Sequence, residues 1–258
     1  MSTIHATAIV APDAILGEGV EVGAYSVIGP DVRVGPRTRI GPHAIIHRHT
    51  TIGADNIIHS YASIGDAPQD KKYAGEPTRL ELGDRTVVRE FVTLNRGTTK
   101  DRGVTTIGND NLFMSYSHVA HDCVVGNQCV LANSATLGGH VVLGDWVIMG
   151  GFAAIHQFCK VGAHAFLANN AAVTRDVPPY VLAVGGPAKP HSITSEGLKR
   201  RGFSPQQIRN LRNAYRVLYR SGLRLDDALA QLREAAKDQP EVQALVDFIP
   251  QSTRSLVR

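Results

Sequence analysis

The chain has 258 residues, a formal net charge of +4 and three cysteines, enough length for one large domain or a domain plus an appendage. It contains no run of eighteen apolar residues, and its start, MSTIHATAIVAPD, lacks the basic-then-apolar pattern of a secretory signal, so neither a membrane span nor secretion is expected. An odd cysteine count without a signal points to free thiols in a reducing compartment, and therefore to a cytoplasmic protein.

The first element is a repeat. Stepping by six from Ile4 gives Val10, Leu16, Val22, Ile28, Val34, Ile40, Ile46, Ile52, Ile58 and Ile64. With about half of residues apolar, such a run has a chance on the order of one in two thousand. The register breaks, resumes at Leu82, Val88 and Leu94, breaks again, and runs from Ile107 through Phe113 and Val119 to Val173. Four residues after each aliphatic position comes a small or β-branched one, such as Ala8, Ala14, Val20 and Ser26. A period of six is neither helical nor a simple alternation. It fits short extended segments joined at corners, three to a coil, with successive coils about 4.8 Å apart. Glycine often follows the aliphatic residue directly, at Gly17, Gly23, Gly29, Gly35, Gly41 and Gly53, and a positive φ is expected there. Cys123, Cys129 and Cys159 fall on the small inward position, as packed thiols rather than nucleophiles.

The β-coil is expected over 1–178, with external loops near 66–81 and 97–106. The first loop, DAPQDKKYAGEPTRLE, is polar and long, as functional loops on rigid scaffolds often are. The second, GTTKDRGVTT, shows no obvious chemistry. After Pro178 and Pro179 an irregular connector is expected over 179–195, then a C-terminal helical domain over 196–258. Ser204, Pro205 and Gln207 form a capping-box helix start, and Ile208, Leu211, Tyr215 and Leu218 give that helix an apolar face ending at Ser221 and Gly222. Shorter helices are predicted over Asp226–Ala236 and Pro240–Phe248.

Ten of the eleven histidines lie in the repeat region, none at an inward position. His118, His121, His140 and His156 sit on neighbouring coils. Two chemistries suit them. Neutral imidazoles bind zinc, as in the γ-class carbonic anhydrases built on the same repeat, although those use an H-x-x-x-x-H pair and this chain has H-x-x-H. Alternatively, one histidine is a general base that takes a hydroxyl proton and returns it to a thiolate, with a backbone N–H of Gly138-Gly139-His140 for the oxyanion. A purely structural β-helix is the third possibility, but it would require neither the histidine cluster nor the polar loop.

The repeat resembles the hexapeptide-repeat acyltransferases, which implies a mainly β, left-handed parallel β-helix with a C-terminal α-helical domain. More specifically, the run His118-Val-Ala-His121-Asp122-Cys123 resembles the active-site segment of the UDP-N-acetylglucosamine acyltransferase family. The stretch from Gln69 to Arg79, Gly138-Gly139-His140, His156-Gln157-Phe158-Cys159 and the run from Glu196 to Phe203 agree. A related N-acyltransferase family has an extra N-terminal uridine-binding domain, for which a repeat starting at Ile4 leaves no room.

The resemblance implies transfer of a 3-hydroxyacyl chain from acyl carrier protein to UDP-N-acetylglucosamine, the first step of lipid A biosynthesis, with no cofactor and no metal. It implies His121 as base, Asp122 as its orienting partner and Gly139 as oxyanion donor. Asp70, Lys72, His118 and Gln157 would contact the glucosamine and acyl groups, and His140 and His156 would line the cleft. Gln69, Glu196, Arg200 and Arg201 would hold the nucleotide end, and Asn169 would set acyl length, favouring a shorter chain than glycine would. Asn95 stands where relatives commonly have histidine, and Thr194 where an asparagine is common. A homotrimer with sites between adjacent β-helices is expected. The basic stripe Arg209, Arg212, Arg216 and Arg220 suits an acidic carrier protein, and no nucleic-acid motif accompanies it.

Overall fold

The structure, a computed structural model, describes residues 2–258; Met1, the first residue of the expected β-coil, lies outside the described residues. The chain winds into a left-handed parallel β-helix of triangular section. Strands of mostly two residues fall into three sheets of eleven, nine and eight, here the first, second and third. Each strand pairs in parallel with the one a coil later, as in Thr3↔Glu21 and Ile4↔Val22. The expected aliphatic register is the core: Ile28, Ile46, Ile64, Leu94, Val119, Leu137 and Ile155 stack inside the prism, all buried. Cys123, Cys129 and Cys159 are free and buried among them.

The glycines need a correction. Gly17, Gly23, Gly29, Gly35, Gly41 and Gly53 do not have positive φ; that conformation falls two residues later, on Gly19 and on Tyr25, Asp31, Arg37, His43 and Asp55. Glycine is required for close approach between coils instead. A Cβ on Gly35 would lie 2.5 Å from the Gly53 carbonyl carbon, and one on Gly17 2.7 Å from the Pro36 nitrogen. Backbone on both sides leaves no room to yield.

Both loops are shorter than expected. Strands Arg79–Leu82 and Val104–Ile107 start early, so the loops are 67–78 and 96–103. The reason is mutual pairing, Arg79↔Val104 through Leu82↔Ile107, which extends the third sheet beyond the two-residue norm. Arg96, buried, fixes the first loop by donating to the Gly65 carbonyl at 2.8 Å and the Tyr73 hydroxyl at 2.9 Å.

The segment expected to be an irregular connector is a hairpin. Val181–Val184 pairs in parallel with the preceding coil and antiparallel with Lys189–Ile193, closing the first sheet. Four helices follow: α1 (Ser195–Arg200), α2 (Pro205–Tyr219), α3 (Leu225–Ala236) and α4 (Gln243–Phe248). Helix α2 has the expected capping box of Ser204 and Gln207, and it buries Leu211, Tyr215 and Leu218; Pro240–Val242 is a 3₁₀ turn ahead of α4. The last residues return to the β-helix. There the buried Asp176 carboxylate accepts from the Lys160, Thr253 and Arg254 N–H groups and the Ser252 hydroxyl.

Candidate active site

One edge of the prism, between the second and third sheets, gathers the chemistry. The first loop leaves it after Asp66 and the second after Asn95, its register neighbour. One coil on, Val119 pairs with Leu94 and puts Ala120-His121-Asp122 on the same edge. Leu137 then places Gly138-Gly139-His140, and Ile155 places His156-Gln157-Phe158. Five stacked coils thus bring residues nearly ninety apart into one cleft of about 870 Å³. Gln69, Asp70 and Lys72 line it from the loop, with His121, His140 and Gln157 from the coils; Lys71, Lys100, Asp101 and Phe158 complete it.

The His121 Nδ1 lies 2.9 Å from Asp122 Oδ2. Asp122 is fully buried as a side chain, whereas His121 retains 14% exposure toward the cleft. Burial pushes the Asp122 carboxyl up, but hydrogen bonds from His121, the Thr98 hydroxyl and the Thr98 N–H outweigh it and hold the group below its usual range. An ionised Asp122 can only accept a hydrogen bond there, which favours the tautomer with Nδ1 protonated and the Nε2 lone pair of His121 open to the cleft. Gly139 abuts the other side of the ring: a Cβ there would lie 2.6 Å from Cε1 and 2.8 Å from Nε2. The Gly139 N–H donates to no group among the described residues.

His140 Nδ1 lies 2.8 Å from Asp101 Oδ2, which can only accept, and the ring meets His121 edge-on at 5.1 Å between centroids and stacks on Phe158 at 4.4 Å. The Asp70 carboxyl is held below its usual range, mainly by the Lys72 N–H. His121, Asp122 and His140 are also the one trio among the described residues whose ligand atoms could hold a metal ion. The three thiols offer no alternative nucleophile, since burial pushes Cys123 and Cys129 up to about 12 and Cys159 to about 11.

Several expected residues are not among those that line this cleft. His118 sits on the second sheet, half-buried, with Nδ1 2.7 Å from the Thr93 hydroxyl. Burial, then the nearby His121, pushes it down. His156 is exposed beside the cleft without lining it, its Nδ1 3.2 Å from Arg254. Asn169 is on the edge between the first and second sheets, accepting the Gly151 N–H at 3.0 Å. Glu196, Arg200 and Arg201 line a second cavity of about 500 Å³ with Thr194, Ile148 and Phe166, on the first sheet's face. Arg201 lies over the Trp146 ring and 3.2 Å from His164 Nδ1; burial, then Arg201, pushes His164 down to about 4. Asn95 uses its amide to hold the Ala67 carbonyl at 3.0 Å, so it serves the loop.

The second loop corrects the reading that it lacks chemistry. Thr98 holds Asp122, Lys100 lies 3.7 Å from Asp70, and Asp101 holds His140. Arg254, from the distant C-terminus, reaches the Gln157 carbonyl at 3.3 Å and the Phe158 ring. The register of Leu94 beside Val119 was the available signal for the loop; none pointed to Arg254.

The six-residue coils make this a hexapeptide-repeat protein, and the relatives it matches make it an acyltransferase. The family described as bacterial transferase hexapeptide matches residues 105–139, and the one described as Udp N-acetylglucosamine O-acyltransferase, Domain 2, matches 176–257. An acyl-(acyl-carrier-protein)–UDP-N-acetylglucosamine O-acyltransferase of Thiobacillus denitrificans is 54% identical over 258 residues, covering 100% of both chains. The structure of the Francisella novicida UDP-N-acetylglucosamine acyltransferase aligns with TM-score 0.97 at 39% identity, covering 99% of this chain and 94% of that one. The Moraxella catarrhalis UDP-N-acetylglucosamine O-acyltransferase aligns with TM-score 0.96 at 43% identity, covering 99% of each. The chain belongs to the acyl-(acyl-carrier-protein)–UDP-N-acetylglucosamine O-acyltransferase family.

Proposed function

We propose that the chain transfers an (R)-3-hydroxyacyl group from acyl carrier protein to the 3-hydroxyl of UDP-N-acetylglucosamine, the first step of lipid A biosynthesis, with His121 as general base. The observation that carries this is the His121–Asp122 contact at 2.9 Å, with Gly139 against the far side of the ring. His121 Nε2 takes the sugar hydroxyl proton as the oxygen attacks the thioester carbonyl. The Gly139 N–H, free of other acceptors, stabilises the oxyanion. Collapse breaks the carbon–sulfur bond, and the imidazolium returns its proton to the departing thiolate.

Asp70, Lys72, His118 and Gln157 contact the glucosamine and acyl groups, and His140 lines the cleft beside His121. Gln69 with Glu196, Arg200 and Arg201 holds the nucleotide end. In one chain these last residues lie on different faces, so the reading requires a neighbouring subunit, and a homotrimer supplies it. Two features support association. The first sheet presents Ile57, Val87, Leu112, Val130, Ile148 and Phe166 outward in successive coils. Tyr25, His43, Tyr61, Phe91 and Tyr116 stack at 4.9–5.2 Å along the adjoining edge, with Tyr25, Tyr61, Phe91 and Tyr116 exposed. Asn169 on that assembly shortens the acyl groove. The exposed Arg209, Arg212 and Arg216 of α2, with Arg220 at its C-cap, dock the acidic carrier protein. Among the described residues no helix is long and apolar enough to cross a membrane, and a cytoplasmic site of action fits these substrates.

Incubating the chain with UDP-N-acetylglucosamine and carrier proteins bearing 3-hydroxyacyl chains of graded length tests this. Mass spectrometry should find a 3-O-acylated sugar nucleotide, best with one donor length. No product from any donor refutes the assignment, and a monomer by light scattering refutes the shared site.

A further inference from the structure

We propose that Thr98 is a positioning residue that fixes the protonation state and orientation of the His121–Asp122 pair. The proposal rests on the general-base reading above. Thr98 is the third residue of the second loop and is buried. Its N–H donates to Asp122 Oδ1 at 2.8 Å and its hydroxyl to Oδ2 at 2.6 Å. Oδ2 is the same oxygen that faces His121 Nδ1, so the hydroxyl and the imidazole share one acceptor.

That sharing has a chemical consequence. With the Thr98 hydroxyl donating into Oδ2, the oxygen next to His121 must act as an acceptor, so the carboxyl carries no proton on that side. The imidazole then keeps its proton on Nδ1 and offers Nε2 to the substrate. Asp122 is wholly buried, and an unsupported carboxylate there would take up a proton. Thr98 supplies two of its three charge-supporting hydrogen bonds, His121 the third. The backbone of the pair is held separately, by the Asp122 N–H to the Thr105 hydroxyl at 2.8 Å and by the left-handed corner at Asp122. The Thr98 hydroxyl is therefore free to act on charge rather than on chain path. The same loop treats the neighbouring groups alike, since Asp101 faces His140 Nδ1 and Lys100 faces Asp70.

Thr98→Val keeps the shape and the N–H bond but removes the hydroxyl. Less stabilised, the Asp122 carboxylate becomes more basic, and the His121–Asp122 pair holds its proton to higher pH. The acid limb of kcat/KM therefore moves to higher pH, and kcat falls about 10- to 100-fold, the effect of one hydrogen bond to a charged group. KM for UDP-N-acetylglucosamine changes less than threefold. Thr98→Ser restores the hydroxyl and returns both the limb and kcat to within a few fold of the native protein. If Thr98→Val does not fold, Thr98→Ala gives the same readout, since it too keeps the N–H bond.

A native acid limb with kcat within twofold in Thr98→Val overturns the proposal, as does equal impairment of the Ser and Val variants. His121→Ala, run alongside, separates the readings. An active His121→Ala sinks the general base itself. An inactive His121→Ala beside an unaffected Thr98→Val sinks only the role of Thr98.

Discussion

Gly139→Ala adds one methyl group at the point where the coil after His121 crosses the imidazole. An ideal Cβ there lies 2.6 Å from His121 Cε1, 2.8 Å from Nε2 and 3.2 Å from Nδ1, against an ordinary contact limit of 3.4 Å. The backbone cannot absorb the shortfall. His140 N donates to the His121 carbonyl at 3.0 Å, and Phe158 N donates to the Gly139 carbonyl at 3.0 Å, which ties three coils together. The ring must yield instead, by about 0.8 Å, and this lengthens the Nδ1–Asp122 contact or turns Nε2 out of line. A misplacement of about 1 Å at a reacting group costs on the order of 10²-fold. Because the ring faces an open cleft, the stability cost should sit near 1 kcal/mol, the low end for overpacking. Steady-state acyl transfer, with thermal unfolding in parallel, measures both. A Gly139→Ala variant within threefold of native kcat would show that the ring does not work at the position seen here.

Other expectations follow from the same geometry. Gly35→Ala, far from the cleft, should lower stability by about 2–3 kcal/mol in urea unfolding because its Cβ meets the Gly53 carbonyl carbon at 2.5 Å. A cost below 0.5 kcal/mol would contradict the close-approach role of these glycines. Asp176→Ala leaves the Lys160, Thr253 and Arg254 N–H groups without their acceptor and should cost about 2–4 kcal/mol. Hydrogen exchange should speed at residues 252–257, and native-like protection there would refute the clasp. His164 has its ordinary value of 6.5 lowered to about 4, so the unfolded chain binds the proton first. Stability from this residue is present above pH 6.5 and is lost as pH falls toward about 4. His164→Gln should flatten the stability curve across that window, and an unchanged slope would count against the burial.

The register from Val22 to Val173 was legible because one side of every coil must be aliphatic, and six-residue spacing has no competing periodicity. Ser204 and Gln207 were legible for a local reason, since a capping box lies within four residues of chain. What escaped depends on stacking between coils. Gly35 reads as a turn residue until Gly53 is placed against it. Thr98 and Asp101 look like loop polarity until the coils bring Asp122 and His140, 24 and 39 residues on, within 3 Å. The hairpin at 181–193 was hidden because its strands abandon the six-residue period and pair antiparallel. The motif singled out His121 and Asp122, but the Arg254 contact with Gln157 spans 97 residues and leaves no local mark.

The most direct measurement is the pH–rate profile of acyl transfer for the native chain beside His121→Ala, with product identified by mass. The account predicts an acid limb in the native profile, and for the alanine variant a loss of at least a hundredfold in kcat while UDP-N-acetylglucosamine still binds. Turnover by His121→Ala at a rate close to native would contradict it.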